Sequence, residues 1–221
     1  MSDVTEAKLE VVAKAAVMNQ IAAADIRAES PLHHAELEIL AKQGPRQGGV
    51  HLREIKLCGH LTLRCNQNNP EHLAAVETVL GLALPTQPLT FVATGETSIR
   101  WISPDEWLIV VPGLDAFNIE SRFRDVMTGH YSLVNGSGGQ TIIELWGPDV
   151  VNLLKKCTPI DFHPTKFPVG KVVSSVFAKS AAVISRTGED RFELVIRRSF
   201  ADYLWLWLQD ASCEYGLVVE V

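Results

Sequence analysis

None of the four cysteines, Cys58, Cys65, Cys157 and Cys213, falls in a C-x-x-C pair, which excludes a zinc knuckle or a redox dithiol built on that motif. Positive charge is also in short supply. Twenty lysines and arginines stand against 26 aspartates and glutamates, a formal charge of −6, so no sequence-wide field exists to gather nucleic acid or anionic lipid. No apolar run reaches bilayer-spanning length, and the alanine- and valine-rich opening is interrupted by Glu6, Lys8, Glu10 and Lys14, leaving no uncharged core for a secretion signal. These absences predict a cytoplasmic protein with reduced thiols, and neither nucleic acid nor membrane as a partner. Residues 1–29 read as an arm, helical or partly ordered, with nothing near in sequence to pack against.

Motifs for cofactor chemistry are equally scarce. "NGSGGQT", Asn135 to Thr141, has glycines but neither the G-x-G-x-x-G spacing nor a helix after it, so it reads as a strand connection. No Walker lysine follows a glycine-rich loop, and no G-x-S-x-G elbow is present. His33 and His34 lie beside Glu36 and Glu38, but adjacent residues on a helix diverge and cannot share one cation. His51, His60, His72, His130 and His163 lack ligand spacing. The expectation is a chain with no catalytic, cofactor or metal residues of its own.

What is present is a large capacity for packing. With 221 residues, 47% of them apolar and 21% charged, the chain is ordinary for a globular protein; a chain of this size buries about 70% of its unfolded surface. Ser30-Pro31 reads as a helix start, ended by the loop "GPRQGG". From Ile55, alternation through Leu57, Gly59, Leu61, Leu63 and Cys65 predicts a strand. Asn69-Pro70 opens a helix that Gly81 ends, and three strands and a helix carrying Phe117, Phe123, Val126 and Met127 follow.

The second half repeats this plan. "YSLV" and "TIIELW" precede a helix that buries Val150, Val151, Leu153, Leu154 and Cys157; "VVSSVF", "AAVISR" and "RFELVIR" precede a helix capped by Ser199, with Asp202 in its first turn. Phe200, Leu204, Trp207, Leu208 and Ala211 recur at helical period as its buried stripe, with Gly216 as the stop. The turns Ser103-Pro104-Asp105-Glu106 and Thr187-Gly188-Glu189-Asp190 join matching strand pairs and read as solvated hairpin tips. We therefore expect an α+β protein of mostly antiparallel sheets with packed helices. Its unit of two strands, helix, three strands, helix is used twice, at about residues 50–128 and 129–217, within one domain of residues 30–221.

Two features suggest a surface for partners. Arg197 and Arg198 precede the last helix, where they could hold an anionic group, pair with a carboxylate across a subunit boundary, or simply be solvated. Trp205 and Leu206 flank the buried stripe, so the helix is apolar over a wide arc, covered either by its own sheet or by a docking subunit.

The segments "WISPDEWLIV", "GGQTIIELWGPDVVNLLKKCTPIDFHPTKFPVGKV" and "RTGEDRFELVIRRSFADYLWLWLQDASCEYG" resemble the gamma subunit family of heterotetrameric sarcosine oxidase, in order, over about Ser30 to Leu217. The N-terminal arm departs from that family's pattern. The resemblance implies an aminomethyltransferase-like, folate-binding fold of duplicated ββαβββα units. It also implies a non-catalytic role in assembly and stability beside alpha, beta and delta subunits, which carry the flavins, NAD and tetrahydrofolate while oxidising sarcosine to glycine. Hydrogen peroxide and formaldehyde or methylenetetrahydrofolate are the implied products. The K-G-C-Y-x-G-Q-E motif of a related iron–sulfur-assembly protein is absent, and no match to the aminomethyltransferase catalytic aspartate loop is found. The alternative on the same fold is an independent folate-binding or one-carbon-transfer protein; a free-standing scaffold with another partner is a third reading.

Overall fold

The computed structural model describes residues 27–221, so residues 1–26 of the predicted arm lie outside the described residues. The first helix starts later than Ser30-Pro31 predicts. A 3₁₀ turn over His33–Ala35 leads into α1 (Leu37–Gln43), and Glu36 between them takes a left-handed φ of 49°. Ser30 does not cap it, because its hydroxyl donates to the buried Glu54 carboxylate at 2.7 Å.

The strand predicted from Ile55 is two strands, β1 (Val50–Ile55) and β2 (Gly59–Arg64). The break falls at Leu57, whose φ is 54° and whose side chain is 51% exposed: the leucine that prolongs the alternation on paper is a turn residue. Then α2 (Pro70–Leu80) forms as its signals predict. The Asn69 side chain accepts from the Glu71 amide, Pro70 sits in the first turn, where its missing N–H costs nothing, and Gly81 at φ 67° ends the helix. β3 (Phe91–Thr94), β4 (Thr97–Ser103), β5 (Glu106–Val111) and α3 (Ala116–Val126) follow.

The remaining elements are β6 (Ser132–Asn135), β7 (Gln140–Trp146), α4 (Val150–Cys157), β8 (Val172–Phe177), β9 (Ser180–Gly188), β10 (Arg191–Arg197), α5 (Ala201–Ala211) and β11 (Leu217–Val219). Two details of the last helix differ from expectation. Ser199 lies inside a 3₁₀ turn, Arg198–Phe200, whose Ala201 N–H already bonds the Arg198 carbonyl, so Phe200 is the N-cap residue and no side chain caps α5. The helix ends at Ala211, and Gly216, at φ 76°, instead introduces β11, which pairs parallel with β1.

The strands form two sheets. One has the order β3-β4-β5-β2-β6 and the other β11-β1-β7-β10-β9-β8. Reading the second from its far edge gives β8-β9-β10-β7-β1, the same arrangement with β1 and β6 exchanged: each of these strands pairs in the sheet formed mainly by the other half of the chain. Every neighbouring pair except β1 with β11 is antiparallel.

Period-two alternation divides each sheet between two cores. Leu61, Leu63, Ile99, Trp107, Ile109 and Val111 face α2 and α3, while Leu52, Ile143, Leu145, Phe192, Leu194 and Ile196 face α4 and α5. The opposite faces meet each other through Leu108, Val110, Ile142 and Val195. Helices thus cover the outer face of each sheet, and the sheets stack in the middle. Thr90 bridges to Lys171 and links the two sheets at one edge.

Candidate functional site

The middle layer carries the unusual chemistry. On the five-stranded sheet, Thr62, Leu108 and Arg100 lie side by side; on the other, Arg53, Glu144, Glu193 and Ser185 form the corresponding row. Arg100 is 2% exposed and reaches across to Glu193 through Nη2, while its Nε and Nη1 have no partner among the described residues. Burial lowers the Arg100 pKa, and the Glu193 carboxylate opposes that shift by charge and hydrogen bond. His60, in the next row, donates from Nδ1 to the Cys58 carbonyl at 3.1 Å, leaving a buried Nε2 lone pair with no partner among the described residues. Burial first, then the Arg100 charge, holds its pKa down to about 4, so the ring is neutral at physiological pH.

A second cluster lies where this face opens to solvent. Glu144, 4% exposed, accepts from Arg53 Nε at 2.5 Å and Arg191 Nη1 at 2.7 Å. Both guanidinium groups lie against Trp146, at 4.8 Å for Arg191 and 5.9 Å for Arg53, and His51 stacks on the same indole at 5.4 Å. His51 is held from Nδ1 by Glu220 at 2.7 Å. A third cluster fixes the entry of the chain: the Glu54 carboxylate accepts from Ser30, Thr141 Oγ1 at 2.8 Å and the Leu32 amide at 3.3 Å.

Three of the thiols are kept protonated by burial. Burial pushes Cys65 up to about 11, with Asp105 adding to it, and raises Cys58 and Cys157 as well. A nucleophile needs the thiolate, so these three positions are poor ones for covalent chemistry. Among the described residues no group of His, Cys, Asp and Glu is arranged to hold a metal ion. His34 instead pairs with Asp202 at 2.7 Å, and His33 with Glu29 at 3.6 Å.

The residues singled out on the last helix separate. Trp205 is 4% exposed within the α4–α5 core, so it is not on the surface that docking would use. The buried arc is Ala201, Leu204, Trp205, Leu208 and Ala211, rotated from the predicted stripe: Phe200 is 40% exposed and Trp207 only partly buried. Leu206 is 56% exposed, and Arg197 and Arg198 are exposed. Arg198 Nη1 donates to the Glu29 carbonyl at 3.4 Å, and the two arginines do not converge with Trp205 on one site. The Trp146 cluster escapes sequence reasoning because its residues come from three strands distant in the chain. The usable signal is the row they share once strand order is known.

Known proteins give this architecture its context. The family model of the sarcosine oxidase, gamma subunit family matches residues 64–214. The chain is 30% identical over 189 residues to a sarcosine oxidase subunit gamma from an Arthrobacter species, covering 85% of this chain and 91% of the relative. A match to an aminomethyltransferase of Halothermothrix orenii is 28% identical but covers 53% of this chain and 33% of the relative. Among solved structures, a chain of the heterotetrameric sarcosine oxidase from Corynebacterium sp. U-96 superposes with a TM-score of 0.75 at 25% identity, over 88% of this chain and 97% of that one. The glycine cleavage system aminomethyltransferase T from Bartonella henselae superposes with a TM-score of 0.55 at 13% identity, over 73% and 46%, and shares the fold. The α+β architecture of antiparallel sheets and packed helices is therefore common to both, and the chain belongs to the sarcosine oxidase gamma subunit family.

Proposed function

We propose that the chain is a non-catalytic subunit of a heterotetrameric sarcosine oxidase, cytoplasmic, acting in assembly and stability. The observation that carries this is the pattern of coverage. The match accounts for 91% of a sarcosine oxidase subunit gamma and 97% of a chain of the heterotetrameric enzyme, but for less than half, 46%, of an aminomethyltransferase. On this reading alpha, beta and delta subunits hold the flavins, NAD and tetrahydrofolate and convert sarcosine to glycine, with hydrogen peroxide and formaldehyde or methylenetetrahydrofolate as the other products. The polar clusters fit a supporting role: their carboxylates are spent on neighbouring arginines and hydroxyls.

The same reading takes residues 30–221 as one domain of two pseudo-repeats, about 50–128 and 129–217. Its support is the matching strand order of the two sheets and the exchange of β1 and β6 between them. Arg197, Arg198 and Leu206, all exposed, belong to the surface open to partners.

Co-expression tests the proposal. Flavin-carrying subunits produced with the chain should assemble stably and generate peroxide from sarcosine, and without it they should lose assembly. Full stability and activity in its absence would defeat the assembly role. Calorimetry with tetrahydrofolate on the isolated chain tests the independent folate-binding alternative, since micromolar binding releases about 8 kcal/mol of free energy and is readily measured.

A further inference from the structure

We propose that the open end of the β1–β7–β10 face, built on Trp146 between Arg53 and Arg191, is the surface on which a carboxylate-bearing segment of a partner subunit docks; this rests on the assembly reading above. The row His51–Trp146–Arg191 continues the inner face of the larger sheet beyond the apolar contact between the sheets. Its side chains are partly exposed, Arg53 and Arg191 at 43% and 41%, yet they are not loose. The indole has His51 stacked on it and both guanidinium groups within 6 Å, while one buried carboxylate, Glu144, holds both arginines. A tryptophan and two arginines ordered before binding are the composition of an interface hot spot, with much of the ordering cost met in advance.

Donor geometry selects the occupant. Each guanidinium has five N–H donors, and among the described residues each gives one side-chain bond, to Glu144. The two arginines share one carboxylate, and the donors each has left belong to a planar fork that suits a second carboxylate. Beside them is a hollow of about 380 Å³ bordered by Trp146, Pro148, Glu189 and Asp190. Those two acidic residues, with Glu220 engaged by His51, frame the site and disfavour a free anion. A carboxylate carried on a polypeptide can bring apolar contacts to Trp146 and basic ones to this rim.

The corresponding row of the other sheet makes the contrast. There Arg64 pairs with Glu106 at 2.8 Å across the same strand positions, next to Ser132, so its charge is closed on itself. The open cationic–aromatic arrangement therefore belongs to one sheet and is not a general consequence of the fold.

The test measures binding of the full chain to the remaining oxidase subunits. Arg191→Glu and Trp146→Ala should each weaken association by roughly 30-fold or more, the hot-spot range. Arg191→Lys, which keeps the charge beside Glu144 but loses the fork, should weaken it by roughly 10-fold, and Arg64→Glu should change little. Thermal melting of each isolated variant checks folding, and Arg191→Lys keeps the test decisive if charge reversal unfolds the chain. Undiminished association by Trp146→Ala and both Arg191 variants overturns the docking surface alone. If the wild-type chain fails to bind the oxidase subunits, the assembly reading falls and the surface with it.

Discussion

Corresponding positions of the two sheets are spent on opposite physics. Leu63 opposite Trp107 in one sheet matches Leu145 opposite Phe192 in the other, and all four are buried against helices. One residue along, on the faces that meet, the likeness ends. Leu108 in one sheet answers to Glu193 in the other, Thr62 to Glu144, Arg100 to Ser185, and His60 to Ile142. The helix-facing layers of both sheets are apolar and pack against their helices. The meeting faces cannot be equivalent, because a buried arginine needs a carboxylate opposite it and not a second arginine.

The sharpest way to break this comparison is at the inter-sheet ion pair. Glu193→Ala leaves Arg100 charged and 2% exposed with no counterion, and removing one partner of a buried pair costs about 3–5 kcal/mol. Urea unfolding should show that loss. Arg100→Met combined with Glu193→Leu, which makes the two faces alike in character, should recover most of it. A double variant as unstable as the single one would show that the cost lies in packing and not in the stranded charge.

His60 sharpens the same contrast through pH. Its folded pKa of about 4 lies below the ordinary 6.5, so between those values the unfolded chain binds more protons than the folded one. Stability is then fully present above pH 6.5 and falls as pH drops toward 4, by up to about 3 kcal/mol for a shift of this size. His60→Ile, which copies the Ile142 position of the other sheet, should remove that part of the slope. An unchanged difference in unfolding free energy between pH 7 and pH 4.5 would refute the assignment.

A smaller effect is expected at the Glu54 cluster, which has no equivalent among the hydrogen bonds of the other half. Thr141→Val removes one of three donors to a nearly buried carboxylate, and a hydrogen bond to a charged group contributes about 1.5–3 kcal/mol. Ser30→Ala should cost a similar amount and should also raise amide exchange at Leu32, whose N–H shares the same acceptor. Loss of stability without that change in exchange would mean the cluster does not fasten this end of the chain.

How much of this was legible in the sequence follows from the range of each signal. Local signals read well: Asn69, Pro70 and Gly81 bound α2 as predicted, and of the five residues expected on the inner side of α4, Val150, Leu153, Leu154 and Cys157 are buried while Val151 is only partly so. Periodicity misled where a turn preserved it, at Leu57, and the capping signal misled where a 3₁₀ turn displaced a helix start, at Ser199. Trp205 was ambiguous because the buried arc of a helix depends on what its neighbours cover, which no local pattern states. The Arg100–Glu193 pair joins residues 93 positions apart, and the Trp146 cluster draws on three strands, so neither was visible before strand order and register were known.

The mildest comparison sets two helix starts against each other. Asn69 accepts the Glu71 N–H at 2.9 Å at the head of α2, so Asn69→Ala should lower stability by about 1 kcal/mol, the usual value of an N-cap. Ser199 has the residue type of a cap but sits within the 3₁₀ turn before α5, where the Ala201 N–H is already satisfied by the Arg198 carbonyl. Ser199→Ala should therefore stay within about 0.5 kcal/mol of wild type, as for a surface substitution that removes no structural contact. Equal losses at the two positions, measured by denaturant unfolding in the same background, would mean that the hydroxyl does cap α5 in solution and that the helix begins one residue earlier than the fold described above.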